Sequence, residues 1–252
     1  MIKTAIFLTT TLFINQAIAT SSDLDIGLLS AAHKCDSNMT AFFLEKGADP
    51  NAVIHKKDIA GMTASISSPL LEAVKGLNGF KAKKCLPVAE KLLEAGASPN
   101  LQGNGLISPI LYLARTSKEK ADFDLLINSG GDINLQDKSS ASSQKDTFLM
   151  LLDRGELGGK IKVLEGNKFG QKKRQKYLDM YQKFASKADL NLQNKNGDTA
   201  LIQAARRVQC SIVEILVNTG ANTKIKNNDG KTAKDFAYQS ADPKCIAVLT
   251  EN

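Results

Sequence analysis

One five-residue phrase recurs five times along the chain, and it restricts the possible folds more than any other feature. It reads Gly47-Ala48-Asp49-Pro50-Asn51, Gly96-Ala97-Ser98-Pro99-Asn100, Gly130-Gly131-Asp132-Ile133-Asn134, Lys187-Ala188-Asp189-Leu190-Asn191 and Gly220-Ala221-Asn222-Thr223-Lys224. Each copy follows an amphipathic helical stretch such as Val88-Ala89-Glu90-Lys91-Leu92-Leu93-Glu94. A second phrase opens an earlier helix, as Ser68-Pro69-Leu70-Leu71, Ser108-Pro109-Ile110-Leu111, Thr147-Phe148-Leu149-Met150, Thr199-Ala200-Leu201-Ile202 and Thr232-Ala233-Lys234-Asp235. Ser or Thr there caps the helix, Pro is tolerated in its first turn, and Gly after the second helix supplies a left-handed stop. Thr199 and Thr232 are 33 residues apart. A unit of that size cannot bury its apolar face alone, so the units must stack in a one-dimensional array.

Together the two phrases resemble the ankyrin repeat, and the resemblance covers nearly all of the chain after residue 19. The fullest copy runs Asn196-Gly197-Asp198-Thr199-Ala200-Leu201-Ile202-Gln203-Ala204-Ala205 through Gly220-Ala221-Asn222. Two family features are missing: the histidine after Pro-Leu and the Gly-His pair between the helices. The resemblance implies an all-α repeat solenoid of helix-turn-helix units with β-hairpin or loop fingers. About six repeats fit, at 23–54, 64–104, 105–138, 145–194, 195–227 and 228–252, in one domain over 20–252. The polar end Thr250-Glu251-Asn252 suits a terminal cap.

Residues 1–19 read as a signal peptide: Lys3 near the start, an apolar stretch to Ile14, and Ala17-Ile18-Ala19 before the cut. The apolar run is shorter than the roughly 20 residues that span a bilayer. The expected product is soluble and periplasmic. Four cysteines suit two disulfides in an oxidising compartment, and the lack of a CxxC pair disfavours zinc. Of three connectivities, the repeat register favours 35–85 and 210–245. It puts Cys35 and Cys210 at the ends of first helices, and Cys85 and Cys245 at the starts of second helices.

Charge is concentrated. Without Lys3 the chain carries 32 basic and 26 acidic residues, and Arg154 to Lys187 holds ten Lys or Arg against Glu156, Glu165 and Asp179. This basic insertion, 154–172, separates the two helices of repeat four. Its Gly159-Lys160-Ile161 lacks the Ser or Thr of a phosphate loop. Two connections are long, with sixteen residues at 52–67 and twelve at 135–146, against seven elsewhere. The family builds fingers from such connections, and long loops in compact domains often serve function. Candidate finger contacts are His55, Lys56, Lys57, Asp58, Asn104, Lys138, Lys195, Asn196, Asn228 and Asp229. The Ser139–Ser143 stretch reads as disordered.

The resemblance also implies that the residue after the small pair ending each first helix faces a concave groove. Those residues are His33, Lys75, Arg115, Arg154, Arg206 and Gln239, with Lys34 and Arg207 following two of them. Such a row would focus positive potential and steer an acidic protein, and arginine suits bidentate carboxylate contacts. A chance run on a lysine-rich chain is the alternative reading.

Catalysis is not expected. His33 and His55 are the only histidines, and the chain contains no GxSxG or HExxH. A Cys35-His33 nucleophile would need a free thiolate. No metal or cofactor is expected, and the compartment argues against nucleic acid. The family implies a protein-binding module that is monomeric when free. The favoured expectation is an immunity or inhibitor protein that occludes a secreted antibacterial effector, such as a type VI secretion phospholipase or other lipase. The alternatives are a periplasmic accessory protein for an enzyme such as a catalase, or an exported host-directed effector.

Overall fold

The computed structural model describes residues 21–57, 63–77, 82–103, 105–117, 120–139, 144–154, 159 and 170–251. Among them twelve helices form six antiparallel pairs. They are α1 (Ser21–Lys34) with α2 (Ser37–Glu45), α3 (Pro69–Leu77) with α4 (Ala82–Glu94), and α5 (Pro109–Thr116) with α6 (Lys120–Asn128). The remaining pairs are α7 (Phe148–Arg154) with α8 (Gln171–Ala185), α9 (Ala200–Arg206) with α10 (Cys210–Asn218), and α11 (Ala233–Ser240) with α12 (Pro243–Thr250). First helices stack on one another from α1 to α11, while second helices form the other layer. The predicted signal peptide, Asp58, Asn104 and most of the basic insertion lie outside the described residues.

The phrases act locally as their chemistry requires. The hydroxyls of Ser108, Thr199 and Thr232 accept N–H bonds from Leu111, Ile202 and Asp235, capping α5, α9 and α11. After four second helices the chain closes with a six-residue bond: Ala48 N–H to Phe43 O, Ala97 to Leu92, Gly131 to Leu126 and Ala221 to Leu216. The glycine before each bonded residue has φ between 88° and 100° (Gly47, Gly96, Gly130, Gly220). Repeat four carries Lys187 at that place; its N–H bonds Phe184 O as the glycines bond their equivalents, but the next N–H, of Ala188, goes to Ala185 O only three residues back.

The phrase also has a stacking role that its spelling does not announce. Within each copy, the third residue's side chain accepts the N–H of the fifth: Asp49 from Asn51, Asp132 from Asn134, Asp189 from Asn191. The fifth residue then accepts an N–H from the next copy: Asn51 from Ser98, Asn100 from Asp132, Asn134 from Asp189, Asn191 from Asn222. The five copies, in repeats one to five, are thereby pinned in series by amide side chains at 2.7–3.0 Å.

Between the layers lies one continuous apolar core. Leu70, Val74, Leu92, Ile110, Leu113, Ile212 and Leu216 are nearly or fully excluded from water, each stabilising by about 1.5–3 kcal/mol. Ala32, Ala73, Ala114, Ala205 and Ala237 are also buried, and these small side chains let first helices approach closely. Repeats three and four share a cluster of Phe123, Phe148 and Phe184 with ring centroids 5.2–5.9 Å apart.

Cys35 is bonded to Cys85 and Cys210 to Cys245, with Cα separations of 4.6 and 4.8 Å. The pairing is the one the register favoured, but one part of that register is corrected. Cys210 does not end a first helix; it is the first residue of α10. The residue equivalent to Cys35 is Val208, and both adopt left-handed backbone (φ 55° and 58°). The connection 52–67 is a finger: β1 (Ile54–Lys57) pairs antiparallel with β2 (Thr63–Ser67), His55 opposite Ile66, with an irregularity between Lys56 and Lys57. Ser139 is buried and donates its N–H to Asp137, so the expected disorder does not extend to it.

Candidate functional site

The row of cations exists, but it is not a row of free charges. Helices α1, α3, α7 and α9 each bring a basic residue of their last turn, His33, Lys75, Arg154 and Arg206, to a buried carboxylate; α11 ends without a basic residue. Arg154 Nη1 lies 2.5 Å from Asp146 Oδ2, and Arg206 holds both oxygens of Asp198 at 2.8 and 2.9 Å among the described contacts of α7 and α9. Both acids are fully buried, and each sits eight residues before its arginine, immediately ahead of the Thr that caps or opens the helix. In repeat two the same two positions hold Ser67 and Lys75, 3.3 Å apart. In repeat three the acid position is occupied by Ile107, and Arg115 is exposed with no acid partner among the described residues.

Repeat two compensates with Glu72. This buried carboxylate accepts from Ser67 Oγ at 2.5 Å, from Lys75 Nζ at 2.8 Å and from His33 Nδ1 of the preceding repeat at 2.6 Å. Burial alone would push its pKa up. The hydrogen bonds from Lys75, Ser67 and His33 outweigh that and hold it at about 2. Arg207 reaches across the next boundary, Nε 3.8 Å from Asp153 Oδ2, with Asp153 almost wholly buried. Asp153 in turn faces Tyr181, whose hydroxyl is pushed well above its usual range, first by burial and then by that charge.

Two asparagines extend the pattern toward the fingers. Asp146 also accepts from Asn194 Nδ2 and Gln203 Nε2, and Asp198 from Asn227 Nδ2. Asn194 and Asn227 each receive N–H bonds from their own finger turns. The fingers are tied edge to edge by Gln102, Gln136 and Gln193, which donate to Gln136 O, Gln193 O and Lys226 O. The groove cations, their acids and the fingers therefore form one hydrogen-bonded surface. A polar cleft of about 200 Å³ opens in it, lined by Gln144, Arg154, Asn196, Asp198, Gln203, Arg206 and Arg207.

Most of the expected site residues fall on this face. His33, Lys34, Arg115, Arg154, Arg206 and Gln239 are exposed and Lys75 is half-buried. His55, Lys138, Lys195, Asn196, Asn228 and Asp229 are exposed on fingers. Two of these have their amides engaged with neighbouring turns: Asn196 Nδ2 bonds Gln144 Oε1 and Asn228 Nδ2 bonds Lys195 O. The acids Glu72, Asp146, Asp153 and Asp198 were not foreseen, although an Asp directly before the Thr opener was a readable signal in two repeats. The basic cluster of repeat four serves packing in part. On α8, Lys183 pairs with Asp124 of α6 at 2.6 Å and Arg174 donates to Ser211 of α10. Cys210, Asp242 and Cys245 come within metal-ligand distance of each other, but both sulfurs are bridged.

Residues 172–252 match the family described as ankyrin repeats (3 copies). Solved structures extend the likeness over the whole stack. A chain of the complex of the predatory endopeptidase Bd0816 from Bdellovibrio bacteriovorus with the immunity protein Bd3460 is 22% identical, with a TM-score of 0.54 over 90% of this chain and 97% of that one. The ankyrin repeat protein EF0377 is also 22% identical, with a TM-score of 0.58 over 89% and 96%. The fold is an ankyrin-repeat solenoid. Curated proteins match over shorter ankyrin stretches. Alpha-latroinsectotoxin-Lt1a of Latrodectus tredecimguttatus is 32% identical over 77 residues, 30% of this chain and 6% of the toxin. Ankyrin repeat domain-containing protein 37 of Bos taurus is 36% identical over 63 residues, 25% of this chain and 40% of that protein. The chain thus spans less than half the length of these relatives. An ankyrin solenoid is a scaffold typical of non-catalytic protein–protein interaction. No helix among the described residues is long and apolar enough to cross a membrane.

Proposed function

We propose that this chain is an exported, non-catalytic binding module that neutralises a secreted effector enzyme by covering it. The observation that carries the reading is the ordered face of cations at the first helices, five of them (His33, Lys75, Arg154, Arg206 and Arg207) held by buried acids and continuous with tied fingers. Such a surface is fixed before binding, so little side-chain entropy is lost on contact. Two disulfides suit an oxidising compartment, in keeping with residues 1–19 acting as a signal peptide cut near Ala19. The likeness to a chain from an endopeptidase–immunity protein complex supports an immunity-type role. The partner surface in this proposal comprises His33, Lys34, Lys75, Arg115, Arg154, Arg206, Arg207 and Gln239 with the finger residues. The target is a secreted enzyme of the lipase type or, as in the Bdellovibrio complex, a peptidase.

The test is affinity capture from periplasmic extract, followed by mass spectrometry and an activity assay of the captured enzyme. The expected result is one secreted enzyme retained and inhibited at stoichiometric ratio. Capture of no partner, or of an enzyme that stays fully active when saturated, would overturn the reading.

A further inference from the structure

The geometry points to the cleft between repeats four and five as the subsite for a single carboxylate of the bound protein, an Asp or Glu side chain flanked by backbone amide. The assignment rests on the protein-binding reading above. The cleft volume of about 200 Å³ admits one such side chain and no folded element.

Three arginines from two repeats line the cleft: Arg154, Arg206 and Arg207. Asp146 and Asp198 lie fully buried beneath the first two. Positive charge faces solvent and negative charge lies inside, so the layers cancel at a distance but not at contact. Arg206 donates one hydrogen bond to Asp198 (Nη2 to Oδ1), holds its second oxygen at ion-pair distance, and lies over the Phe236 ring, 4.5 Å from its centroid. Among the described residues Arg154 makes one polar contact, to Asp146. A guanidinium carries five donors, so both arginines keep several for a ligand while their orientation is already set.

The wall supplies the second half of the recognition. Gln203 is 6% exposed and gives its Nε2 to Asp146, which as a carboxylate can only accept. Its Oε1 is therefore the remaining atom, and it is buried with no hydrogen-bond partner among the described residues. That acceptor calls for a hydrogen-bond donor beside the anion. A peptide carboxylate brings one in the adjoining backbone N–H, spaced apart from the anionic oxygens; an inorganic phosphate dianion has only the O–H on its own tetrahedron.

The experiment uses the full mature chain with ¹⁵N-labelled arginine and follows side-chain Nε–Hε signals by NMR. Probes are N-acetyl-aspartate N′-methylamide, its asparagine isostere, and inorganic phosphate. The aspartate probe should shift Arg154 and Arg206 signals saturably with a Kd on the order of 1–10 mM. The asparagine isostere should bind at least about tenfold more weakly, a difference of about 1.4 kcal/mol. Arg206→Lys, which keeps the charge and loses the fork, should weaken the aspartate probe severalfold while leaving the circular dichroism unchanged. No saturable shift, equal binding of both amides, or tighter binding of phosphate would overturn the assignment. Partner capture by the wild type is scored separately. A captured and inhibited enzyme with a silent cleft sinks the subsite alone, whereas a responsive cleft with no partner sinks the protein-binding reading.

Discussion

Asp198 and Arg206 flank one short helix and close on each other through two contacts, Oδ2 to Nη1 at 2.8 Å and Oδ1 to Nη2 at 2.9 Å. The acid is fully buried and the arginine side chain is 39% exposed. Removing the arginine therefore strands a charge, whereas removing both charges does not. Arg206→Ala should destabilise the fold by about 2–4 kcal/mol, near the cost of breaking a buried pair. Asp198→Asn combined with it should recover most of that loss, because Asn227 still bonds the remaining side chain. Urea unfolding of the two variants checks this. An equal loss in both would mean that the pair, and not the stranded acid, carries the stability.

Gly76 is fixed by the first disulfide. A Cβ built there would lie 2.2 Å from Cys85 Sγ and 3.0 Å from Cys35 Sγ, so a methyl group and the bridge compete for one space. Gly76→Ala should cost about 1–3 kcal/mol as an overpacked site. It should also leave a measurable fraction of Cys35 and Cys85 as free thiols on non-reducing peptide mapping. Full bridging with unchanged stability would contradict the packing.

The phrases made the fold legible because they encode backbone events: a cap at Ser108 or Thr199, a left-handed stop at Gly96 or Gly220. The cysteine pairing was legible for the same reason, since adjacent repeats superpose. Yet Cys210 was set one element too early, because α9 stops at Arg206 and Val208 turns the chain before it. The site was half legible. Its cations follow a register, but their carboxylates do so only in repeats four and five, as Asp146 and Asp198. Glu72 serves His33 from 39 residues away, across a repeat boundary. Such a contact depends on how two copies pack, not on either copy's pattern.

Glu72 makes stability depend on acid. Its ordinary pKa of 4.5 falls to about 2 in the folded protein, so the unfolded chain binds its proton first as pH drops. The stabilisation is complete above about 4.5 and is lost as pH falls toward 2, a total of about 3 kcal/mol at 1.36 kcal/mol per unit. Glu72→Gln should flatten the fall in melting temperature across that interval relative to the wild type. Parallel curves would show that the carboxylate is not the group responsible.

Ala241 ends α11 in left-handed backbone, φ 52°, and is exposed. It occupies the place that Cys35 and Val208 take in repeats one and five. A left-handed non-glycine residue costs about 1–2 kcal/mol, and glycine returns about 0.4–1 kcal/mol of that as unfolded-chain entropy. Ala241→Gly should therefore stabilise by up to about 1 kcal/mol, read as a raised urea midpoint at constant slope. A lowered midpoint would mean that the turn is not strained.

Arg115 differs from the other arginines of the row because Ile107 stands where they have an acid, and this separates two roles in partner binding. An uncompensated charge acts at a distance, while a charge backed by a buried carboxylate acts only at contact. On the proposed reading, Arg115→Glu should mainly slow association with the captured enzyme and reduce its salt dependence, with dissociation little changed. Asp198→Asn with Arg206→Ala should instead speed dissociation by at least about tenfold and leave the salt dependence as in the wild type. Screening beyond about 8 Å at physiological ionic strength makes the contrast readable from association rates at two salt concentrations. If both variants altered association alone, the buried acids would not be shaping the face, and the ordered arginines would act as simple surface charge.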